Sequence, residues 1–451
     1  MSKTGLLFLV IYIFGLASAF IRGPMLGLLT YIFTCYTLFS WGREIPHFYQ
    51  YRFSLVAGIV LLLAFLTKKM MHENIAVLKM PQLKWLLLML INMIFITPFA
   101  VNIEAHMPIL IDFVKLVLLY YLIISIVQTK LYYKLFIYAQ LWGNYFLGWQ
   151  AYTHGEMHGG RLENIGMPGI KNSNSLANYL VIILPFIGNF TILGKKWEKL
   201  AAIIVAPFVL NAIILCNSRG AYLAIGVMAI LYALRAKKGM RLKIITAIIL
   251  AAVCFSYLSN ENVWERLQTF NEVKTEGSAV SRLDTWDAAL DMTFDYPLGT
   301  GGDGWKKLSP DYIPLIVDAH EGHERSVHNT YLEILTSWGI QGLILYILFL
   351  GSTFLELRKI RQRTGSDDDV FFHSQALALE VALVGYLIGA FFGARAYVEG
   401  LYWYCAIVMA LSNIQQTEIV KQEEQLAIQQ AQKPVSLEEI AVPEALAEKA
   451  E

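Results

Sequence analysis

Charge is what this chain has least of: 16% of its 451 residues are charged and 56% are hydrophobic. A soluble chain carries about a quarter charged residues, so a soluble globular protein is excluded. No basic patch survives outside short loops, and a net charge of +1 averages over two membrane faces. Nucleic-acid binding therefore has no support. Cysteine is scarce as well. Cys35, Cys216, Cys254 and Cys405 fall in or beside apolar runs, far apart and without CxxC spacing. They read as small buried hydrophobes. No internal repeat is visible, which weakens a transporter built on inverted repeats. A cleavable signal peptide is not evident either, because the first apolar stretch has little basic residue before it beyond Lys3.

What is present is a succession of apolar blocks near 20 residues long, the length that crosses roughly 30 Å of hydrocarbon. They fall at about 5–20, 24–41, 53–67, 82–100, 107–128, 131–150, 176–193, 198–216, 219–235, 241–257, 328–352, 374–393 and 399–413. The sequence predicts an all-α polytopic membrane protein with about 12–13 transmembrane helices. It divides into N-terminal helices (1–150), a second helical group (151–257), a large loop (258–327), C-terminal helices (328–413) and a polar tail (414–451). Lys68, Lys69 and Lys79, then Lys195, Lys196 and Lys199, then Arg235, Lys237, Lys238 and Arg241, then Arg358, Lys359, Arg361 and Arg363 fall on one face. The positive-inside rule makes that face cytoplasmic. The 151–175 and 258–327 loops are then outside and the tail is inside. Ten blocks before the large loop would leave Met1 outside, so one of the first three is expected to be re-entrant or interfacial.

Four stretches gather the chemistry of the outer face. Arg219 stands in Asn217-Ser218-Arg219-Gly220-Ala221-Tyr222-Leu223, an Arg-x-x-x-Leu pattern at a helix end. An arginine at the hydrocarbon boundary snorkels, pairs or binds an anion. Arg282 belongs to Ser281-Arg282-Leu283-Asp284, predicted to open a helix with Ser281 and Asp284 as a capping-box variant. Leu283, Trp286, Leu290 and Phe294 share a stripe of that helix, suiting a position along the membrane surface. Next, residues 295–305 contain a literal G-x-G-x-x-G, but no strand precedes it and no clear helix is expected after it. It reads as a glycine-shaped turn, not a dinucleotide site. The fourth stretch holds Asp318, His320, His323, Glu324, Arg325 and His328. Its spacing matches no helical H-E-x-x-H metal site, so no metal is expected.

His328 opens an apolar helix, where an imidazole is poised for proton transfer. Arg161, Lys171 and Asn174 in the other outer loop, Asn329 beside His328, and Arg395 between the last two helices are further candidates for substrate contact. Asp112, Lys115, Glu333 and Glu380 read as structural pairs. Glu333 lies about 140° round the helix from His328 and is not expected to orient its ring.

Arg219-Gly-Ala-Tyr-Leu223 and His328-Asn329, followed after nine residues by Gly339-Ile-Gln-Gly342, resemble the motifs of the bacterial O-antigen ligases and their relatives, the O-antigen polymerases and protein O-oligosaccharyltransferases. Arg282, ahead of a Pro-x-Gly-x-Gly turn, is similar to the second arginine of that family. The resemblance covers about 160–410. It implies a GT-C-type glycosyltransferase of the inner membrane with a large periplasmic loop containing short surface helices. It further implies an inverting, metal-independent reaction without cofactors. The implied donor is a glycan on undecaprenyl diphosphate, and the implied acceptor is lipid A-core oligosaccharide or another hydroxyl. On this resemblance Arg219 and Arg282 would hold the diphosphate and His328 would act as base. A flippase of lipid-linked sugar is the reading outside that class.

Overall fold

Most of the apolar runs become helices with ends close to those expected; the 176–193 run divides into two helices, and the helices starting at 330 and 399 run on to 362 and 431, past the expected 352 and 413. The computed structural model describes residues 2–67, 80–167, 169–170, 172–259, 261, 263–264, 277–314, 326–363 and 369–431. The N-terminal group comprises α1 (Lys3–Ile21), α2 (Pro24–Thr37), α3 (Phe53–Thr67), α4 (Pro81–Ile96), α5 (Ile103–Ile126) and α6 (Lys130–His154). A β-hairpin of β1 (Glu156–His158) and β2 (Arg161–Glu163) follows. Then come α7 (Ser173–Val181), α8 (Leu184–Leu193), α9 (Lys196–Cys216), α10 (Arg219–Arg235) and α11 (Lys238–Leu258). Within the large loop lie α12 (Gly277–Asp295) and α13 (Gly304–Tyr312). The chain ends in α14 (Thr330–Gln362), α15 (Asp369–Ala390) and α16 (Glu399–Ala431).

The boundaries are set by local chemistry. Ser2, Asn102, Thr129 and Asn172 each accept a backbone N–H from the first turn of the helix they precede. Pro24 and Pro81 occupy first helical positions, where their missing N–H has no consequence. The chain is a multi-pass helical membrane protein. Among the described residues, eight helices are long and apolar enough to cross a membrane, and α3 is a shorter apolar one. This is fewer than the apolar blocks for a physical reason. At 14 residues, α2 reaches only about 21 Å. Helix α6 is long enough but trades hydropathy for interior polar contacts. Tyr36 Oη donates to Gln140 Oε1 at 2.7 Å, and Asn144 Nδ2 donates to Tyr36 Oη at 3.1 Å. Helix α16 is buried over its first half and then continues as a polar extension.

Helices in lipid gain little from burial against one another and associate through close packing of small residues. Gly148 of α6 lies against the Phe208 backbone of α9, where an added Cβ would come within 2.6 Å of Phe208 C and O. At the other extreme α11 is almost wholly exposed, with Ile244 its one buried residue. Cys254 lies on it and is exposed, so the expectation of four buried cysteines holds for Cys35, Cys216 and Cys405 only.

Charges pair at the basic end of the bundle. Glu380 is held between Arg235 and Arg361, both at 3.0 Å, and Glu356 meets Lys359 at 3.1 Å and Arg363 at 2.8 Å. Asp112 and Lys115 pair at 2.8 Å one turn apart on α5. The structural pairing expected for Asp112, Lys115 and Glu380 accords with those contacts.

Candidate active site

The opposite end of the bundle gathers the ends of six helices. Helix α9 stops at Asn217, which takes a left-handed conformation (φ 47°), and α10 begins two residues later with Arg219. A cation in a first turn opposes the helix dipole. Ser218, the N-cap, makes no side-chain cap. Gly220 lies directly against Phe392 of the connection between α15 and α16, 3.0 Å from a Cβ placed on it.

That connection also holds the start of α14. Thr330 Oγ1 donates to Gly393 O at 2.6 Å and accepts from the Arg395 N–H at 3.1 Å. Helix α14 does not begin at His328. Asn329 is its N-cap, its carboxamide oxygen accepting from Tyr331 and Leu332 N–H at 2.9 and 3.2 Å. His328 is one residue further out and adopts φ 50°, a left-handed conformation uncommon for any residue but glycine. The cap fixes the chain at Asn329, the residue next to His328. With its oxygen engaged in the cap, Asn329 has only its amide nitrogen to offer a substrate.

Arg282 lies on α12, which is tied to this corner by Trp286. That helix begins at Gly277, earlier than expected, so Ser281 and Asp284 are not a capping box. The Ser281 carbonyl instead accepts from Thr285 Oγ1 at 2.6 Å. Arg282, Trp286, Ala289 and Thr293 fall on one face. Trp286 Nε1 donates to the carbonyl of Val327, the residue before His328, at 3.1 Å. Ala288, Ala289 and Met292 bury with Trp305, Ile313 and Val327 in a small core of their own, separate from the main one. Trp286 thus leaves the apolar stripe expected for it, while Leu283, Leu290 and Phe294 remain exposed on the outer side.

The glycine-shaped turn after α12 has a specific seat. Helix α14 breaks at Gly339 (φ 70°, ψ −177°). Into the break fit Thr300 and Gly301, whose N–H groups donate to the Thr336 and Ser337 carbonyls, both at 2.9 Å. Ile340 N–H returns to the Pro297 carbonyl at 3.3 Å, and Asn92 Nδ2 caps the Trp338 carbonyl at 3.1 Å. A Cβ on Gly339 would meet the Leu298 backbone at 2.5 Å. On the far side Gly302 N–H donates to His106 Nδ1 at 3.2 Å, and the Thr300 carbonyl accepts from Val101 N–H at 2.9 Å. A helix does follow the G-x-G-x-x-G, against expectation. The amides of Thr300, Gly301 and Gly302 are nevertheless committed to protein acceptors, leaving no phosphate cradle.

Arg161 sits half-buried on β2, which packs against α7 and α9, and lies within electrostatic reach of Cys216. The hairpin turns on Gly159 and Gly160, both with positive φ, a Gly-Gly signal legible in the sequence. Asn174 lies in the first turn of α7, and its carbonyl accepts from Arg395 Nη2 at 2.9 Å. Burial brings the Arg395 pKa down to about 10. Lys171, Asp318, His320, His323, Glu324 and Arg325 lie outside the described residues.

Two further residues belong to the corner. Thr330 carries no sequence signal beyond adjacency to His328-Asn329. Glu333 accepts from Ala396 N–H at 3.1 Å and has Asp303 and Lys306 in electrostatic reach. Its signal was a carboxylate in the first turn of an apolar helix.

Residues 201–347, which include Arg219, Arg282, His328, Gly339 and Gly342, match the family model described as O-antigen ligase. Over that region, about a third of the chain, the protein is similar to the O-antigen ligase family, a likeness that supports a ligase- or polymerase-like membrane enzyme. No curated protein matches the chain.

Proposed function

We propose that the protein transfers a glycan from undecaprenyl diphosphate to a hydroxyl of lipid A-core oligosaccharide, at the periplasmic face of a bacterial inner membrane. The acceptor oxygen attacks the anomeric carbon from the side opposite the diphosphate, the bond from that carbon to the diphosphate oxygen breaks, and configuration inverts. His328 takes the hydroxyl proton. Arg219 and Arg282 hold the diphosphate by charge-assisted contacts and stabilise it as it leaves, the part a divalent metal plays elsewhere. Arg161 and Asn174, on the hairpin and at the start of α7, are assigned to the glycan or its phosphates, together with Lys171 and the Asn329 amide nitrogen.

One observation carries this reading: the segments bearing the three residues are tied to a single corner. Gly220 abuts Phe392, Trp286 donates to Val327, and Thr330 donates to Gly393. The paired basic residues lie at the other end, which supports placing the corner outside. Lipid substrates require entry from the side, and the exposed Leu283, Leu290 and Phe294 suit α12 as a roof resting on headgroups.

The lipopolysaccharide ladder of a deletion strain tests the reading. Loss of all attached O-chains, restored by the wild-type gene but not by His328→Ala expressed at the same level, is the expected outcome. Chains of one repeat would make it a polymerase. An unchanged ladder with altered glycoproteins would move the acceptor to protein.

A further inference from the structure

The arginines Arg235, Arg361 and Arg363 at the basic end all meet carboxylates. Arg395 does not. It is 3% exposed, and among the described residues no carboxylate lies within ion-pair distance. Its Nη2 reaches the Asn174 carbonyl, while Nε and Nη1 are buried without a hydrogen-bond partner among the described residues. A guanidinium carries five N–H donors, and a buried charge is ordinarily paired or bound to an anion. Gly393 makes the room: a Cβ there would stand 2.8 Å from Nε and 3.0 Å from Nη2.

The backbone of Arg395 is fixed at both ends, its N–H on Thr330 Oγ1 at 3.1 Å and its carbonyl accepting from Tyr386 Oη at 3.2 Å. Thr330 is two residues from His328, and Phe392, three residues from Arg395, covers Gly220 beside Arg219. The under-compensated charge is therefore embedded among the segments that carry the other site residues.

We propose that Arg395 is a third cationic contact for the lipid diphosphate, directed at the phosphate oxygen that gains charge as the glycan leaves. This rests on the donor reading above. The donor diphosphate is esterified at both ends, and cleavage at the sugar adds one negative charge to the fragment that remains on the lipid. Arg219 and Arg282 match the donor. Arg395 supplies the charge that the leaving group acquires, an interaction strongest in the transition state and product. The shared chemistry is a phosphate oxyanion, which phospholipid headgroups also carry.

Thermal unfolding of the full-length protein in detergent, titrated separately with farnesyl diphosphate, inorganic diphosphate and phosphatidylglycerol, tests this. Farnesyl diphosphate stands in for the leaving group. It should stabilise the wild type, Arg395→Gln should weaken its apparent affinity by about tenfold to a hundredfold, and Arg395→Lys should keep most of it. Without ligand, Arg395→Gln should unfold no earlier than the wild type, since it removes an under-compensated buried charge. Equal affinity in Arg395→Gln and wild type overturns the assignment, as does a large loss of ligand-free stability, which would mark a structural role. Competition by phosphatidylglycerol at equal affinity would make it a headgroup site and overturn it too. Failure of farnesyl diphosphate to bind the wild type would remove the donor reading along with it.

Discussion

Gly339→Ala bears on the joint between the roof and the membrane helices. Gly339 has φ 70° and ψ −177°, a region open almost only to glycine, and the new Cβ would sit 2.5 Å from the Leu298 carbonyl group. The Gln341 amide, 2.7 Å away, can swing aside, but the Leu298 atoms are backbone, so the turn at 297–301 must withdraw or α14 must close its break. Holding alanine in that conformation costs about 1–3 kcal/mol. Withdrawal forfeits the bonds from Thr300 to Thr336, Gly301 to Ser337 and Ile340 to Pro297, together about 3 kcal/mol. The sum is about 4–6 kcal/mol, a large part of the stability of an ordinary domain. Scaled to a chain of this length, the unfolding midpoint in detergent should fall by roughly 5 °C. Transfer activity should fall further, because α12 and Arg282 move with the turn. Gly351→Ala on the same helix is the control. Nothing lies within 4 Å of its added Cβ, and helix propensity predicts a gain of up to about 1 kcal/mol. A Gly339→Ala protein with wild-type melting and wild-type transfer would refute the reasoning.

Four other outcomes are expected. His328→Ala and His328→Asn should each lower the rate of transfer by about 10²–10⁴-fold while melting as the wild type does, measured with reconstituted enzyme. Trp286→Phe removes the indole bond to the Val327 carbonyl; it should destabilise by about 1 kcal/mol and lower transfer by more than that figure accounts for. Glu380→Gln leaves Arg361 without its carboxylate in a poorly exposed setting and should destabilise by about 3–5 kcal/mol, seen as a lower melting midpoint without change in donor affinity. Burial lowers the Arg395 pKa only to about 10, so the residue stays cationic between pH 6 and 9. Titration of farnesyl diphosphate across that range should show no step that Arg395→Gln abolishes.

The sequence made the helices legible because lipid imposes one rule on them: a long apolar run with its backbone bonds satisfied internally. Arg219 at a helix start, and His328-Asn329 nine residues ahead of Gly-x-x-Gly, were visible as a pattern. Their mechanics were not. That Gly339 breaks a helix to admit another turn depends on Thr300 and Gly301, nearly forty residues upstream, and no local signal carries such pairing. Asn329 was read for substrate contact, whereas its oxygen caps α14. An N-cap requires knowing where the helix begins, and apolar periodicity blurs that by a turn. The same blur misplaced the start of α12. Exposure on α11 is hidden in the sequence because apolar residues facing lipid and apolar residues facing protein look alike there, so Cys254 reads as buried although it is exposed. The sequence shows Arg395 between two helices; that no carboxylate among the described residues pairs with it is a property of the fold alone.

The central claim is that Arg219 and Arg282, carried on elements far apart in the chain, act on one diphosphate beside His328. A double-mutant cycle on farnesyl diphosphate affinity, using Arg219→Ala, Arg282→Ala and the double variant, addresses it most directly. Residues that share a partner should show a coupling of about 0.5–3 kcal/mol, the second loss being smaller once the first has occurred. Strictly additive losses, or an affinity indifferent to either change, would contradict a common site.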